Sequence, residues 1–115
     1  MIIRPGEIAP EPLGDRTVWV KALLTREAHT SALSVTWVQM EGRCCQRMSC
    51  ELSDRVYVLL SGDGEFQVGD EPPETVHQDD LIYIPKGVPY SFSGRMTYLV
   101  INVPAFVPGS DIIIE

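Results

Sequence analysis

The sequence predicts an all-β fold, and three features support this prediction. No window of twelve or more residues has the apolar period near 3.6 that an amphipathic helix requires. Instead, about nine short stretches rich in strand-forming residues are separated by turns of Gly, Pro and Asp. The alternation over residues 32–40 divides a strand into one face with Leu33, Val35, Trp37 and Gln39 and another with Ser34, Thr36, Val38 and Met40. Such strands are typical of a sandwich or a closed barrel, which leaves few strand edges exposed.

Composition limits the functions that the chain can have. Its 115 residues suffice for a single domain with a real core, and its net charge of −7 argues against nucleic acid and anionic membranes as partners. No apolar run approaches a membrane span, and Pro5 and Glu7 interrupt any signal-peptide pattern, so we expect a cytoplasmic protein. The three cysteines, Cys44, Cys45 and Cys50, form no CxxC pair, which predicts reduced thiols and no structural zinc site.

The first half of the chain predicts an arm followed by three strands. Residues 1–16 contain three prolines and two glycines and are expected to form an irregular arm over the domain. Strands are predicted at 17–24 and 32–40, the second ending at Glu41-Gly42. Residues 44–50 form a third, more polar extended stretch. The arm and these strands therefore precede the centre of the sequence.

The centre of the sequence, residues 54–66, predicts a β-hairpin. Its first strand covers residues 55–60, where Val, Tyr and Leu favour a half-buried pleated surface. Residues 61–64, Ser-Gly-Asp-Gly, supply the positive φ angles that a tight turn needs, and a second strand leaves at Glu65. The alternating residues Val56, Val58 and Leu60 predict packing of the outer face on another sheet or subunit.

The second half predicts further strands and a tail. Short strands are expected at 74–77 and 81–84, a rigid turn at 85–89, and two final strands at 90–93 and 96–103. The tail, residues 105–115, carries the apolar run Ile112, Ile113 and Ile114 and is expected to pack on the barrel or on a second subunit. No repeat, linker or low-complexity segment divides the chain.

Two framework motifs stand out between residues 34 and 104. The first is opened by Gly42 and closed by Gly62, and the second covers residues 79–90 with the turn formed by Pro85 and Gly87. Together they resemble the cupin superfamily of small jelly-roll barrels, also called double-stranded β-helices. The resemblance implies a barrel over residues 17–104, a central cavity and a homodimer.

The positions that bind a metal in cupins carry other residues here. The two His positions of the first motif fall on Met48 and Cys50, its Glu position on Arg55, and the His position of the second motif on Tyr90. The resemblance therefore does not imply a metal, and we expect no metal and no cofactor, since the fixed positive charge of Arg55 would repel a cation. An atypical metal is the alternative, because Met and Cys ligands suit Cu(I).

The predicted site is an apolar, aromatic cavity with one guanidinium. Eight residues are expected to line it: Gln46, Met48, Cys50, Arg55, Tyr57, Tyr90, Phe92 and Trp37. A buried arginine favours a carboxylate or phosphate in the ligand. Alternatively, Arg55 pairs with an internal acid such as Glu51 or Asp54. A shift of the strand by one residue would instead turn Ser49 and Glu51 inward.

Three functions remain open from the sequence. The first is binding of a small, anionic organic molecule in the barrel. The second is an isomerase, lyase or cyclase in which Tyr90 and Tyr57 transfer protons, with pKa values lowered by Arg55. The third is a structural or regulatory dimer with a filled cavity. An open pocket with convergent polar groups would favour the first two over the third.

Overall fold

The computed structural model describes residues 1–13, 17–44 and 46–114, without the side chains of residues 43 and 44. The prediction of an all-β fold is confirmed: the described residues form strands and a single 3-10 turn, Pro5–Glu7. They contain no helix of the length and apolarity needed to cross a membrane. The strands are β1 Glu11–Leu13, β2 Val18–Leu24, β3 Ser34–Cys44, β4 Met48–Cys50, β5 Asp54–Val68, β6 Glu74–Val76, β7 Leu81–Ile84, β8 Tyr90–Val103 and β9 Asp111–Ile113.

These nine strands of the described chain pair antiparallel in one curled sheet. The order β1-β2-β3-β8-β4-β9 follows one path, and β5 pairs with β8 on one side and with β6 and β7 on the other. β8 is therefore the central strand, with β3 and β5 as its neighbours. Strand β1 belongs to the segment predicted as an irregular arm, of which residues 14–16 lie outside the described residues.

The predicted central hairpin is wrong. β5 runs without reversal through all 15 of its residues and pairs with β8 from Asp54, opposite Val103, to Val68, opposite Tyr90. A register shift between Leu59 and Ser61 marks a β-bulge. The glycines that suggested a turn, Gly62 and Gly64, lie beyond this bulge where β5 approaches β8 closely, a kind of site at which Gly is favoured.

Two other predicted strand ends are also corrected. The two final strands are one continuous strand, β8, in which Gly94 has φ +138° where β8 crosses close to Gly64 of β5. Likewise, β3 continues through Glu41 and Gly42 to Cys44, with a register shift in this stretch. Glycine in these strands therefore lies at a register shift or at a close crossing and does not end the strand.

Alternation along each strand separates a buried inner face from an outer face. On β5, Arg55, Tyr57 and Leu59 are buried, as the pattern predicted. On β3 the inner residues are Thr36, Val38 and Met40, which line the interior. The core cluster consists of Val18, Val38, Met40, Tyr57, Leu59, Phe66, Val76, Ile82, Ile84, Tyr90, Phe92, Met96 and Tyr98.

The outer face of the same sheet is also apolar across four strands. The register aligns one row of Tyr83, Val56, Ile101 and Val35 and a second row of Leu81, Val58, Leu99 and Trp37. Leu81 is 63% and Tyr83 54% exposed. The outer side of an antiparallel sheet is polar when it faces water.

The homodimer stays a prediction, and we expect it to form through these rows. A monomer in sedimentation velocity would contradict it.

Candidate functional site

The inner face of the curled sheet borders an open cavity of about 480 Å³. Apolar residues of β2, β3 and β8 form most of its wall, and the C-terminal segment closes one side with Phe106, Asp111 and Ile113. The remaining lining residues are Leu13, Val18, Val20, Thr36, Val38, Met40, Gln46, Met48, Arg55, Tyr57, Phe92, Tyr98, Val100 and Asn102. An apolar wall with a few convergent polar groups is the usual composition of a small-molecule site.

Arg55 is the centre of the polar groups. It is only 4% exposed, yet its guanidinium reaches the cavity from β5. Its Nε donates to Oδ1 of Asn102 at 2.7 Å, and its Nη1 donates to the hydroxyl of Tyr90 at 2.8 Å. The hydroxyls of Tyr90 and Tyr57 are 2.7 Å apart and share a hydrogen bond. A connected chain of polar groups therefore runs from Asn102 through Arg55 and Tyr90 to Tyr57.

Asp111 supplies the charge that compensates Arg55. Its Oδ1 lies 3.0 Å from Nη2 of the guanidinium, and its side chain is one-third exposed. Among the described residues this Oδ1 is buried and accepts no hydrogen bond. The contact is therefore an ion pair in which the N–H bonds of Nη2 do not point at Oδ1. Burial by itself lowers the pKa of Arg55, but Tyr57, Tyr90 and Asp111 raise it, so the guanidinium stays charged.

Comparison with known proteins identifies the fold. No protein-family model and no curated protein matches the sequence. Among solved structures, the Streptomyces protein Pac13, described as a unique nucleoside dehydratase, has a TM-score of 0.79 at 19% identity over 100% of this chain and 91% of its own. KdgF from Halomonas has a TM-score of 0.81 at 14% identity, over 92% and 94%. A cupin-like protein from Thermotoga maritima has 0.72 at 20%, over 84% and 75%. The chain has a cupin fold.

The likeness to these cupins establishes the architecture and not the activity, because all three identities are low. Three variants of Pac13, two with a tyrosine replaced by phenylalanine and one with a histidine replaced by glutamine, have been solved with uridine. The chain described here covers nearly all of Pac13 and KdgF. The comparison is therefore between whole domains.

The usual cupin metal does not fit the residues that the sequence resemblance assigns to its ligand positions. Arg55 and Tyr90, which are predicted to stand at two of these positions, are hydrogen-bonded to each other. Cys50 lies 3.9 Å from the hydroxyl oxygen of Ser110. In the described part of the chain, no three His, Cys, Asp or Glu side chains come together as a metal site. A fixed positive charge among these donors opposes a cation.

The structure brings together five of the eight residues predicted for the site. Gln46, Met48, Arg55, Tyr57 and Phe92 line the cavity. Tyr90 is fully buried behind Arg55 and Tyr57, so it supports them and does not reach the open space.

The two other predicted site residues lie elsewhere. Cys50 is buried beside Ser110, since β9 pairs with β4 here and Asp111, the residue after Ser110, lies opposite Cys50. Trp37 lies on the outer face, where Lys21 Nζ is 4.5 Å from its ring centroid, because β3 turns Thr36 and Val38 inward. Of the three cysteines, the predictions for Cys45 and for the side chain of Cys44 lie outside the described residues.

Sequence reasoning missed Asp111 and Asn102. It expected the acid beside Arg55 to be Glu51 or Asp54, its neighbours in sequence, but both are exposed and Asp111 pairs with it instead. Asn102 had a signal, since it is the polar residue within the predicted strand 96–103 on the face that carries Tyr98 and Val100. Asp111 had none, because it follows a proline- and glycine-containing turn in the tail.

The expectation that Arg55 lowers the tyrosine pKa values is corrected. Burial, with the neighbouring Tyr90 and Tyr98, raises the pKa of Tyr57 well above its ordinary value of 10, although Arg55 acts in the opposite direction. Burial also raises the pKa of Tyr90, and the lowering by Arg55 and Tyr57 does not cancel it. Both phenols are therefore protonated at neutral pH, because desolvation penalises the charged form more than one guanidinium favours it.

This result predicts a specific response to alkali. A group whose pKa is raised by folding contributes its full stabilisation below its unfolded pKa, near 10 here, and loses it as pH rises through the folded value. We expect the free energy of unfolding to fall as pH rises above about 10. Urea unfolding at several pH values would measure the slope, which should be smaller in Tyr57→Phe. An equal slope in this variant would contradict the assignment.

Proposed function

We propose that the protein binds a small, polar and uncharged organic molecule in its barrel cavity. The observation that supports it is the buried Arg55, which lines an apolar cavity while Asp111 compensates its charge. The volume of about 480 Å³ lies within the usual range of small-molecule sites and is suited to a nucleoside or a monosaccharide. The solved complexes of Pac13 with uridine support a ligand of this size.

The proposal of an uncharged ligand replaces the anionic ligand that Arg55 alone predicted. An unpaired buried guanidinium would favour a carboxylate or phosphate. Asp111 places an opposite charge 3.0 Å from it, so the formal charge of the pair is zero. An anion attracted by Arg55 is repelled by Asp111 at nearly the same distance, whereas a hydroxyl group accepts a hydrogen bond from Arg55 or donates one to Asp111. An anionic ligand is the competing prediction.

Matched ligand pairs test the proposal. Thermal unfolding would be recorded with uridine and uridine 5′-carboxylate, and with glucose and glucuronate, because each pair differs by one carboxylate. Binding to the folded state alone raises the stability by about 2.7 kcal/mol when the ligand is at 100 times its Kd. We expect the neutral member of at least one pair to raise the Tm more than its anionic partner.

The control variants locate the binding site. Met48→Trp narrows the cavity, and Leu52→Trp places the same bulk at an exposed position between β4 and β5, outside both the cavity and the apolar rows of the outer face. The Tm increase should disappear in the first variant and persist in the second. A larger increase with the anionic members would overturn the uncharged ligand, and equal increases in both variants would place binding outside the cavity.

A lyase-type reaction is a second candidate, favoured by the paired hydroxyls of Tyr57 and Tyr90 beside Arg55. Protonated phenols with raised pKa values donate hydrogen bonds or protons and do not serve as bases. Among the described cavity residues, Asp111 is the carboxylate that accepts a proton. Mass spectrometry of uridine incubated with the protein tests this candidate: loss of one water, abolished in Tyr57→Phe, would support it, and unchanged uridine would oppose it.

A further inference from the structure

We propose that Asp111 sets the charge selectivity of the cavity by occupying the anion position of Arg55 with a carboxylate of the protein itself. The inference rests on the proposed function of the cavity as a ligand site. It adds the residue that decides which ligands are excluded. Three observations carry it: the incomplete contact between Asp111 and Arg55, the weak attachment of the strand that bears Asp111, and the position of both residues in the cavity wall.

The contact satisfies the charge of Arg55 but leaves its hydrogen bonding incomplete. Nε and Nη1 make aligned hydrogen bonds to Asn102 and Tyr90. Nη2 faces Oδ1 of Asp111 at 3.0 Å without an aligned hydrogen bond, and this buried oxygen has no other acceptor contact among the described residues. A free carboxylate binds a guanidinium through two parallel hydrogen bonds. The edge of the Arg55 guanidinium that such a ligand would use is therefore occupied by the Asp111 carboxylate, which makes an ion pair there but no aligned hydrogen bond.

Asp111 stands on a short strand at the edge of the sheet. The strand β9 has three residues, and among the described strands it pairs with β4 alone, which is equally short. β4 in turn meets β8 at a single described pair, Met48 opposite Tyr90. By contrast, Arg55 stands on β5, which pairs with β8 along its whole length. A short unit with few hydrogen bonds opens locally at a lower free-energy cost than the central strands.

Both charged groups border the same open space. Arg55 and Asp111 line the cavity together with Met48 and Ile113 from β4 and β9. With Asp111 present, an anion entering this space meets no net positive charge. Without the carboxylate, Arg55 becomes an uncompensated cation in a largely apolar cavity, and an entering carboxylate gains a charge-assisted hydrogen bond to Nη2. The charge of one residue therefore determines the class of ligand.

The test uses benzoate, which has an apolar ring and one carboxylate. The ring suits the mostly apolar wall of the cavity, so the test does not require the natural ligand to be known. Binding of benzoate would be measured by isothermal titration to wild type, Asp111→Asn, Asp111→Ser and Asp111→Glu. We expect the Asn and Ser variants to bind benzoate at least tenfold more tightly than wild type. Asp111→Glu keeps the charge and should resemble wild type. Benzyl alcohol, the neutral control, should bind all four proteins with similar Kd values.

The outcomes separate this inference from the proposed function. Equal benzoate Kd values in wild type and both neutral variants would overturn the role of Asp111, even if neutral ligands bind. A gain of benzoate affinity in both variants would support it, even if no sugar or nucleoside binds to wild type. Circular dichroism of each variant shows whether it is folded. If Asp111→Asn is unfolded, Asp111→Ser, which leaves a smaller polar group, supplies the same comparison.

Discussion

Arg55→Leu should destabilise the protein by about 3–5 kcal/mol, because it removes one member of a buried charged network. The substitution leaves Oδ1 of Asn102 and the hydroxyl of Tyr90 without their donor and leaves the Asp111 carboxylate without its countercharge. Leucine fills much of the volume, so the loss comes from unpaired polar groups and not from a cavity. Urea unfolding monitored by tryptophan fluorescence would measure the change in the free energy of unfolding. In thermal unfolding, the Tm should fall by roughly 10–20 °C.

Two further variants make this prediction specific. Arg95→Leu removes an exposed arginine from β8 and should change the stability by less than about 0.5 kcal/mol. The double variant Arg55→Leu with Asp111→Leu removes both charges, and it should be more stable than Arg55→Leu alone because no uncompensated carboxylate remains. A single variant as stable as wild type would show that Arg55 is not part of a buried network.

Gly62→Ala should cost about 3–5 kcal/mol, the second large effect that we expect. A Cβ at this position would lie 2.2 Å from the carbonyl oxygen of Arg95 and 2.8 Å from the Cα of Met96. Both atoms belong to the backbone of β8, so neither moves without disturbing the pairing of β5 with β8. The φ of +87° adds strain, since residues with a Cβ rarely adopt it. Chemical denaturation of the variant gives the free energy.

Gly109→Ala is the matched control for Gly62→Ala. Gly109 has nearly the same φ, +85°, but a Cβ there would meet no atom within 4 Å, so only the backbone strain is added. We expect Gly109→Ala to cost about 1 kcal/mol. Gly6→Ala, which has neither feature, should be close to neutral. If Gly62→Ala cost no more than Gly109→Ala, Gly62 would belong in a turn, as the sequence suggested, and the continuous β5 would be wrong.

The periodicity of the sequence determined that the fold is all-β and which residues share a face of each strand. Arg55, Tyr57 and Leu59 point inward and Val56 and Val58 outward because side chains alternate along any strand, whatever strands lie beside it. Alternation alone did not show which face of the neighbouring β3 is inner. Trp37 was predicted to line the cavity, and the pairing of β3 with β8 places it outside.

The sequence indicated correctly that some glycines have an unusual backbone conformation, but the prediction that they form turns was wrong. Gly62 has a backbone conformation that other residues avoid, and the sequence indicated this; Gly94 has one too, but the sequence showed only a break between two predicted strands there. Whether such a glycine forms a turn, a bulge or a close crossing depends on what lies opposite, and Arg95 and Asp63 come from strands distant in sequence. The continuous β5 and β8 were therefore decided by tertiary pairing.

By itself, the sequence determined an all-β chain with a cupin-like framework and a cavity containing Arg55 and Tyr57, because these follow from local patterns and motif spacing. Only the tertiary structure decided the charge and protonation of the site. Asp111 reaches Arg55 through the pairing of β9 with β4, and burial keeps Tyr57 and Tyr90 protonated against the influence of Arg55. Electrostatic energy depends on distances and solvent exposure, and a linear order of residues contains neither.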